Sequence, residues 1–365
     1  MRCWMIGTMA LALALLAAGC GRQDAPPATP EPAATPVANG PAALPESPTV
    51  KAIKRRGRLN CGVHQGLVGF AYTDNRGQWR GFDVDFCRAT AAAVLGDANA
   101  VRFVPLSAAE RFAALNDGRI DVLWRNSSWT MTRDAGEGLV FAGVNYYDGQ
   151  GFLVRRALNL NSATELTGAR VCVQSGSTSQ ANAADYFRSR GIEYRPVVFD
   201  TEEAARDAYN REDCDAFSAD ISALAAARTV LSNPNEHVIL SDVASKEPLG
   251  PVLKAGDERW AATVRWTLNA LMLAEELGVT REGADDLAKT ATDPRVRRLL
   301  GAEGDFGPML GLSKTWARDA VSAVGNYGEI FERNLGSQSA LDLDRGLNAQ
   351  WNARPAGLIY GLPIR

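Results

Sequence analysis

Two short polar segments carry side chains suited to holding a small charged molecule. Residues 125–128 (Arg-Asn-Ser-Ser) and 219–222 (Ala-Asp-Ile-Ser) each follow a short apolar run, at 120–124 and 214–218. In open α/β sheets, ligands bind beyond the carboxyl ends of the strands, where such segments would lie. The sequence therefore predicts a cleft that receives polar groups from two sides.

Arg133 and Asp220 could place opposite charges at this cleft. A guanidinium can donate two parallel hydrogen bonds to a carboxylate, and an ionised carboxylate in a closed cleft needs a cation to offset its desolvation. Other roles are open at this point. Arg133 could pair with Asp134 or Glu137, and Asp220 could cap a helix that begins at Ile221.

The sequence lacks the patterns of several common catalytic and metal sites. It contains no Gly-x-Ser-x-Gly, His-Glu-x-x-His or Cys-x-x-Cys pattern, and its two histidines are His64 and His237. The net charge of −3 comes without a long Lys/Arg run, which argues against a nucleic-acid partner. We expect no catalytic residues, no metal and no cofactor.

A repeated strand–helix–strand pattern would position the polar segments. The helix between the strands would be capped by Ser107 with Glu110 in the first unit and by Asp200 with Glu203 in the second. Alternation of strands and helices favours mainly parallel sheets covered by helices. The predicted strands are 58–63, 101–105, 120–124, 169–174, 194–199 and 214–218, and the predicted helices are 84–95, 181–190, 260–277, 285–290, 295–300 and 314–335.

The N-terminus has the pattern of an export signal. Arg2 precedes an apolar run at 4–18, which is short for a bilayer span, and small residues then precede Cys20. Small residues before a cysteine resemble a lipoprotein cleavage site, so we expect lipidation of Cys20; ordinary cleavage nearby is the alternative. The Pro- and Ala-rich residues that follow favour an extended tether, with the folded part starting near Val50.

Four cysteines remain after the predicted signal and anchor. Cys61, Cys87, Cys172 and Cys214 form an even set, and in an oxidising compartment this suggests two disulfides. Sequence alone permits three pairings, and buried free thiols are the alternative. We favour Cys61–Cys87 and Cys172–Cys214, because each pair then stays within one lobe.

Several motifs resemble a known family. Residues 81–85 (GFDVD) and 126–133 (NSSWTMTR) look like the periplasmic solute-binding proteins of amino-acid ABC transporters. Residues 146–152, 246–251 and 324–336 resemble its general L-amino-acid-binding subfamily, and the last stretch is the most specific.

The resemblance covers nearly all of residues 50–365 and implies the type II periplasmic binding protein fold. Two α/β lobes would be joined by two crossover strands and would close on the ligand, with a helical C-terminal extension on lobe I. The implied boundaries are a signal peptide at 1–19, a lipid-anchored tether at 20–49, the first part of lobe I at 50–153, lobe II at 154–240, and the return to lobe I with the extension at 241–365.

The resemblance also assigns ligand contacts. Arg133 matches the family's carboxylate-binding arginine, and Asp220 matches the carboxylate that holds the ligand ammonium. Asn126 and Ser128 match positions whose side-chain oxygens hold the amino group. Asn126 stands where many relatives carry Ser.

Further site positions come from the loop before the 181–190 helix and from two aromatic residues. Ser177 and Thr178 resemble the lobe II half of the carboxylate grip, because backbone N–H groups at a helix start point toward an anion; simple capping is the alternative. Phe70 and Trp129 are candidate walls of the pocket, or core packing. His64 lies in a cleft-facing loop and has no assigned role.

The implied function is capture of free L-amino acids outside the cytoplasm and delivery to the permease subunits of an ABC transporter. The expected location is the periplasm, with membrane contact through the lipid anchor only. Two alternatives are a sensory binding module without transport and a periplasmic dehydratase of the same fold.

Overall fold

The protein is described by a computed structural model over residues 46–365. The predicted signal peptide, Cys20 and most of the predicted tether lie outside this range. No helix within it is long and apolar enough to cross a bilayer. The helices are α1 (Pro48–Arg56), α2 (Phe82–Leu95), α3 (Arg111–Asn116), α4 (Thr178–Ser189), α5 (Glu202–Asn210), α6 (Ile221–Thr229), α7 (Glu258–Glu276), α8 (Ala284–Thr290), α9 (Pro294–Leu299), α10 (Phe306–Met309), α11 (Trp316–Val324) and α12 (Tyr327–Asn334).

The strands form two main sheets, one in each lobe. The lobe I sheet has the order β4-β1-β5-β13-β6, and the lobe II sheet has the order β11-β7-β10-β8-β9 with β12 paired to β7. The strands are β1 (Leu59–His64), β2 (Tyr72–Thr73), β3 (Trp79–Arg80), β4 (Val101–Leu106), β5 (Val122–Leu123), β6 (Leu139–Phe141), β7 (Tyr146–Arg155), β8 (Arg170–Gln174), β9 (Arg195–Phe199), β10 (Ala216–Asp220), β11 (His237–Ile239), β12 (Ser245–Leu249) and β13 (Val252–Lys254).

Parallel pairing brings the predicted polar segments to the strand ends. Strand β1 runs parallel to both β4 and β5, and β8 runs parallel to both β9 and β10. The segments after β5 and β10 therefore leave the carboxyl ends of the two sheets, as the strand–helix–strand pattern predicts.

Two crossover strands connect the lobes. Strands β7 and β12 pair antiparallel, from Tyr146 opposite Leu249 to Gln150 opposite Ser245. The far end of β7 then enters the lobe II sheet, where it pairs with β10. The predicted two-lobed α/β fold with two crossover strands is confirmed.

The fold begins slightly before the predicted start near Val50. Helix α1 starts at Pro48, and Ser47 caps it by accepting a hydrogen bond from the Val50 N–H at 3.0 Å. The Ser47 hydroxyl and the Thr49 N–H both donate to Asp257, at 2.7 and 3.0 Å. These long-range bonds attach to lobe I a segment whose composition alone predicts an unstructured tether.

The C-terminal helices pack on lobe I. The predicted 314–335 helix is two helices, α11 and α12, because Gly325 adopts a left-handed backbone (φ 90°) and Asn326 with Glu329 forms a new capping box. From α12, the Tyr327 hydroxyl donates to the Asn145 carbonyl at 2.9 Å, and Arg333 pairs with Asp85 at 2.7 Å. The extension is thus part of the lobe I core.

Two predicted caps are displaced from the helix starts. Ser107 and Glu110 do hydrogen-bond each other, with a 2.8 Å contact from the hydroxyl to the carboxylate, but the helix begins only at Arg111. In the second unit Thr201, rather than Asp200, caps the helix by accepting from the Ala204 N–H at 3.1 Å. The second unit offers two adjacent capping residues, Asp200 and Thr201, and the helix uses the second; the first helix has no side-chain cap at its start.

Both predicted disulfides are present. Cys61–Cys87 ties β1 to α2 in lobe I, and Cys172–Cys214 ties β8 to the segment before β10 in lobe II. Each cross-link stays within one lobe, so neither restricts the movement of one lobe against the other.

Candidate ligand-binding site

A cavity lies between the lobes at the carboxyl ends of their parallel strands. The Ser128 and Thr178 hydroxyls approach each other across it at 3.4 Å. Its lining from lobe I is Arg111, Arg125, Asn126, Ser128 and Arg133, and its lining from lobe II is Gln174, Ser177, Thr178, Ser179, Glu202, Phe217, Ser218, Ala219, Asp220 and Ala223. Six of the eight predicted contact residues are thus brought together.

Arg133 is held in the lobe I wall without a salt bridge to any described residue. It lies in a short helical segment, Thr132–Gly136, is 7% exposed, and donates from Nη1 to the Ser128 carbonyl at 2.8 Å. Within residues 46–365 it forms no salt bridge with Asp134 or Glu137, so the surface-pair alternative is not observed. Burial lowers its pKa, with Glu247 acting in opposition.

Asp220 faces the cavity from lobe II without a hydrogen-bond donor from residues 46–365. It is 7% exposed and lies at the N-cap position of α6, yet its side chain makes no capping bond. Burial raises its pKa well above the usual range, and the nearby carboxylates of Asp148 and Glu247 raise it further.

Asp148 supplies the capping contacts that Asp220 does not make. The carboxylate of this crossover residue accepts hydrogen bonds from the Ser222 N–H at 3.4 Å, from the Ser222 hydroxyl and from the Gly149 N–H at 2.8 Å. Because Asp148 satisfies the helix start, the Asp220 carboxylate remains available to a bound cation.

Glu247, on crossover strand β12, connects the two walls of the cavity. It is 2% exposed and accepts a hydrogen bond from Ser128 of lobe I and one from Thr178 of lobe II at 3.0 Å. With its proton donated to Glu247, the Ser128 hydroxyl offers its oxygen lone pairs to the cavity. That is the orientation an ammonium donor needs.

Asn126 is fixed through its backbone. Its N–H donates to Asp83 at 3.1 Å, and its side-chain oxygen accepts from Arg125 at 3.4 Å. Burial raises the pKa of Asp83 to about 6. The predicted amino-group contact from the Asn126 oxygen would therefore compete with Arg125.

Ser177 and Thr178 start helix α4 at the lobe II wall. The Ser177 hydroxyl accepts from the Gln180 N–H at 3.3 Å and donates to the Gln174 carbonyl at 2.6 Å. Ser177 is therefore a helix cap, as the alternative interpretation states. The first N–H groups of this 12-residue helix still point toward the cavity end, where an anion is favoured.

The two predicted aromatic walls lie elsewhere. Phe70 is 1% exposed and packs edge-on against Phe82 and Tyr146 in the lobe I core. Trp129 is 37% exposed and stacks on Phe141 at 5.4 Å, outside the cavity. The backbone of Trp129 follows the site, but its side chain turns the opposite way, so both aromatic predictions are wrong.

His64 spans the gap between the lobes beside the cavity. It ends β1, and its Nε2 lies 3.7 Å from Glu202 of lobe II. Its Nδ1 accepts from the Gly66 N–H at 3.0 Å, which leaves Nε2 to carry the proton and to face Glu202. Burial lowers the pKa of His64, with Glu202 acting in opposition.

Sequence reasoning missed four charged residues at the site. Arg125 and Glu247 lie within quoted motifs, so a signal was present for them. Arg111 and Glu202 are the first residues of α3 and α5, where charged residues usually face solvent. Arg125 donates to the Leu106 carbonyl at 3.1 Å, and burial lowers its pKa to about 10.

The chain is similar to known proteins along most of its length. Residues 59–282 match the family described as bacterial extracellular solute-binding proteins, family 3. The chain is 49% identical over 319 residues to the General L-amino acid-binding periplasmic protein AapJ of Rhizobium johnstonii, covering 87% of this chain and 93% of that protein. It is 47% identical over 317 residues to the Glutamate/glutamine/aspartate/asparagine-binding protein BztA of Rhodobacter capsulatus, covering 87% and 93%.

A solved structure of similar length shares the fold. The ABC transporter periplasmic binding protein from Brucella ovis, with glutathione bound, superposes with a TM-score of 0.84 at 52% identity. The match covers 87% of this chain and 99% of that one.

Proposed function

The chain belongs to the bacterial extracellular solute-binding proteins of family 3, and from this we propose that it captures free L-amino acids in the periplasm for an ABC transporter. The observation that carries the proposal is the placement of Arg133 and Asp220. Opposite charges from two lobes line one cavity and form no salt bridge with each other within the described residues. A zwitterion supplies the counter-ion that each requires.

The carboxylate of the ligand fits the Arg133 side of the cavity. The Nη1 bond to Ser128 fixes the guanidinium, while its other N–H groups can donate to a carboxylate. The start of α4, at Thr178, adds backbone N–H groups from lobe II. The ligand carboxylate contacts both Arg133 and the start of α4 only when the lobes are closed.

The ammonium of the ligand fits the Asp220 side. An ionised Asp220 pairs with it, and the oxygens of Ser128 and Asn126 can accept its remaining hydrogens. Binding then replaces an unpaired buried carboxylate with an ion pair, which removes a desolvation cost that the ligand-free protein carries.

In this proposal, the two lobes close on the ligand and the closed protein then delivers it to a permease. The relatives compared above are named as binding proteins, and the cavity has contacts for a ligand on both lobes rather than an exposed reactive group. We extend the proposal to the N-terminus, where lipidation of Cys20 and the Pro/Ala-rich tether would keep the folded part near a membrane.

Isothermal titration calorimetry of the full chain with L-amino acids tests the proposal. Arg133→Ala removes the carboxylate partner, so we expect affinity to fall at least about 100-fold, as for loss of two charge-assisted bonds. Arg119→Ala, at an exposed arginine of the same lobe, is the matched control and should bind normally. An unchanged affinity in a folded Arg133→Ala protein would exclude this site.

A further inference from the structure

Arg111 is a buried arginine at the cavity, and no described residue hydrogen-bonds or forms a salt bridge with its side chain. It is the first residue of α3 and is 3% exposed. Within residues 46–365 its side chain forms no hydrogen bond or salt bridge, and its Nε is fully enclosed without an acceptor. The Phe112 ring lies 4.6 Å from the guanidinium carbon, which orients the group but does not neutralise it.

The surroundings of Arg111 make its charge unfavourable. Burial lowers the pKa of Arg111 well below its usual range, and the neighbouring cations Arg125 and Arg133 lower it further, with Asp220 and Glu137 acting in opposition. Arg125 is compensated, since it is bonded to the Leu106 carbonyl and stabilised by Glu202. Arg133 is assigned to the α-carboxylate of the ligand. Arg111 alone among these arginines is left without an acceptor.

The charges that line the cavity indicate which ligand compensates Arg111. The lining contains three arginines and two carboxylates, Glu202 and Asp220. The other nearby carboxylates do not line the cavity and accept hydrogen bonds from protein groups: Glu247 from two hydroxyl groups, Asp83 from the Asn126 N–H and Asp148 from the Ser222 hydroxyl. Once Arg133 holds the α-carboxylate, a ligand with no second carboxylate leaves Arg111 without a charged acceptor, whereas a dicarboxylic ligand supplies one.

We propose that Arg111 binds the side-chain carboxylate of the ligand and that the site therefore prefers dicarboxylic amino acids over their amides. The inference rests on the proposed amino-acid-binding function, because Arg133 and Asp220 must already hold the backbone of the ligand. Both arginines belong to the lobe I wall, so the two carboxylates of one ligand meet the same wall while its ammonium meets lobe II.

The test is calorimetry of the full chain with two matched pairs, L-glutamate against L-glutamine and L-aspartate against L-asparagine. We expect the acid of each pair to bind more tightly. Arg111→Met removes the charge and retains the length that packs on Phe112. It should weaken glutamate at least about tenfold while glutamine changes by less than about threefold. Arg119→Met, at the exposed arginine of the same lobe, should leave both affinities unchanged.

A second measurement separates ligand binding from a structural role. Removing an unpaired buried cation should raise the melting temperature of the ligand-free protein, and Arg111→Lys, which keeps the charge but loses the planar fork, should retain part of the acid preference. Equal losses for glutamate and glutamine, or a lower melting temperature in Arg111→Met, would overturn the assignment. A wild-type protein that binds amides as tightly as acids would overturn it while leaving amino-acid capture intact; failure to bind any amino acid would overturn both.

Discussion

Replacement of Asp220 by Asn should separate ammonium recognition from helix capping. Asn has the same shape, can still accept a hydrogen bond, and carries no charge. Asp220 stands at the N-cap of α6 without making a capping bond, because Asp148 bonds the Ser222 N–H instead. The substitution therefore removes the charge while leaving the start of the helix as it is.

The expected loss follows from one charge-assisted contact. A hydrogen bond to a charged group is worth about 1.5–3 kcal/mol, so the affinity for L-glutamate should fall roughly 10- to 150-fold. Glutarate, which lacks the ammonium, has nothing to pair with Asp220, and its affinity should stay the same or rise in the variant. The ligand-free variant should also be more stable, by about 1–3 kcal/mol, since an unpaired buried carboxylate is gone.

Proton release gives an independent measure of the same contact. Burial raises the pKa of Asp220 in the ligand-free protein, and a bound ammonium lowers it again, so binding should release protons in mildly acidic buffer. Titrations in buffers of different ionisation enthalpy detect this release, which Asp220→Asn should reduce. Asp117→Asn, at an exposed aspartate, serves as the control. Equal losses for glutamate and glutarate would show that Asp220 does not contact the ammonium.

Two further predictions concern stability. Replacing Cys172 and Cys214 together by Ala should lower the free energy of unfolding by about 4 kcal/mol in the chain-entropy model, given their separation of 42 residues; urea unfolding measures this, and a loss below 1 kcal/mol would contradict it. Burial raises the pKa of Asp83 to about 6, from an ordinary value of 3.8, so the folded protein binds this proton more tightly than the unfolded chain does. The resulting stabilisation of the fold is present below pH 4 and is lost as the pH rises through 6. The difference between Asp83→Asn and the wild type should change by up to about 3 kcal/mol over that interval, and a pH-independent difference in urea midpoints would refute it.

The features that the sequence predicts correctly are those encoded by neighbouring residues or by one family motif. Alternating apolar runs and capping residues locate six of the thirteen described strands and most of the described helices to within a few residues. The even cysteine set and the two-lobe pattern together give the correct disulfides, and quoted motifs lead to Arg133 and Asp220. Each of these inferences needs only neighbouring residues or one family motif.

Side-chain direction and long-range partners are what the sequence could not supply. Trp129 directly follows Ser128, yet one faces away from the cavity and the other faces into it. Arg111 lines a cavity that residues of lobe II also line, and nothing in the local pattern distinguishes it from an exposed residue. Asp148 caps a helix that begins 73 residues later along the chain, a role that no local signal encodes.

Closure of the two lobes depends on the contacts between them. Within residues 46–365, polar side-chain contacts that join the lobes include His64 to Glu202 at 3.7 Å, Ser128 to Thr178 at 3.4 Å, and the crossover residue Glu247, which accepts from both Ser128 and Thr178. The first is weak because burial lowers the pKa of His64 and so disfavours its charged form.

A bound ligand adds further contacts between the lobes. Shifting two states from 1:99 to 99:1 requires about 5.5 kcal/mol of differential ligand affinity. Two charge-assisted contacts made by lobe II, one from Asp220 and one from the start of α4, would supply roughly 3–6 kcal/mol. A ligand that lacks its ammonium loses about half of this and leaves the open form substantially populated. Recognition of the zwitterion and closure of the lobes are therefore one event, and a permease that accepts the closed form selects amino acids without contacting them.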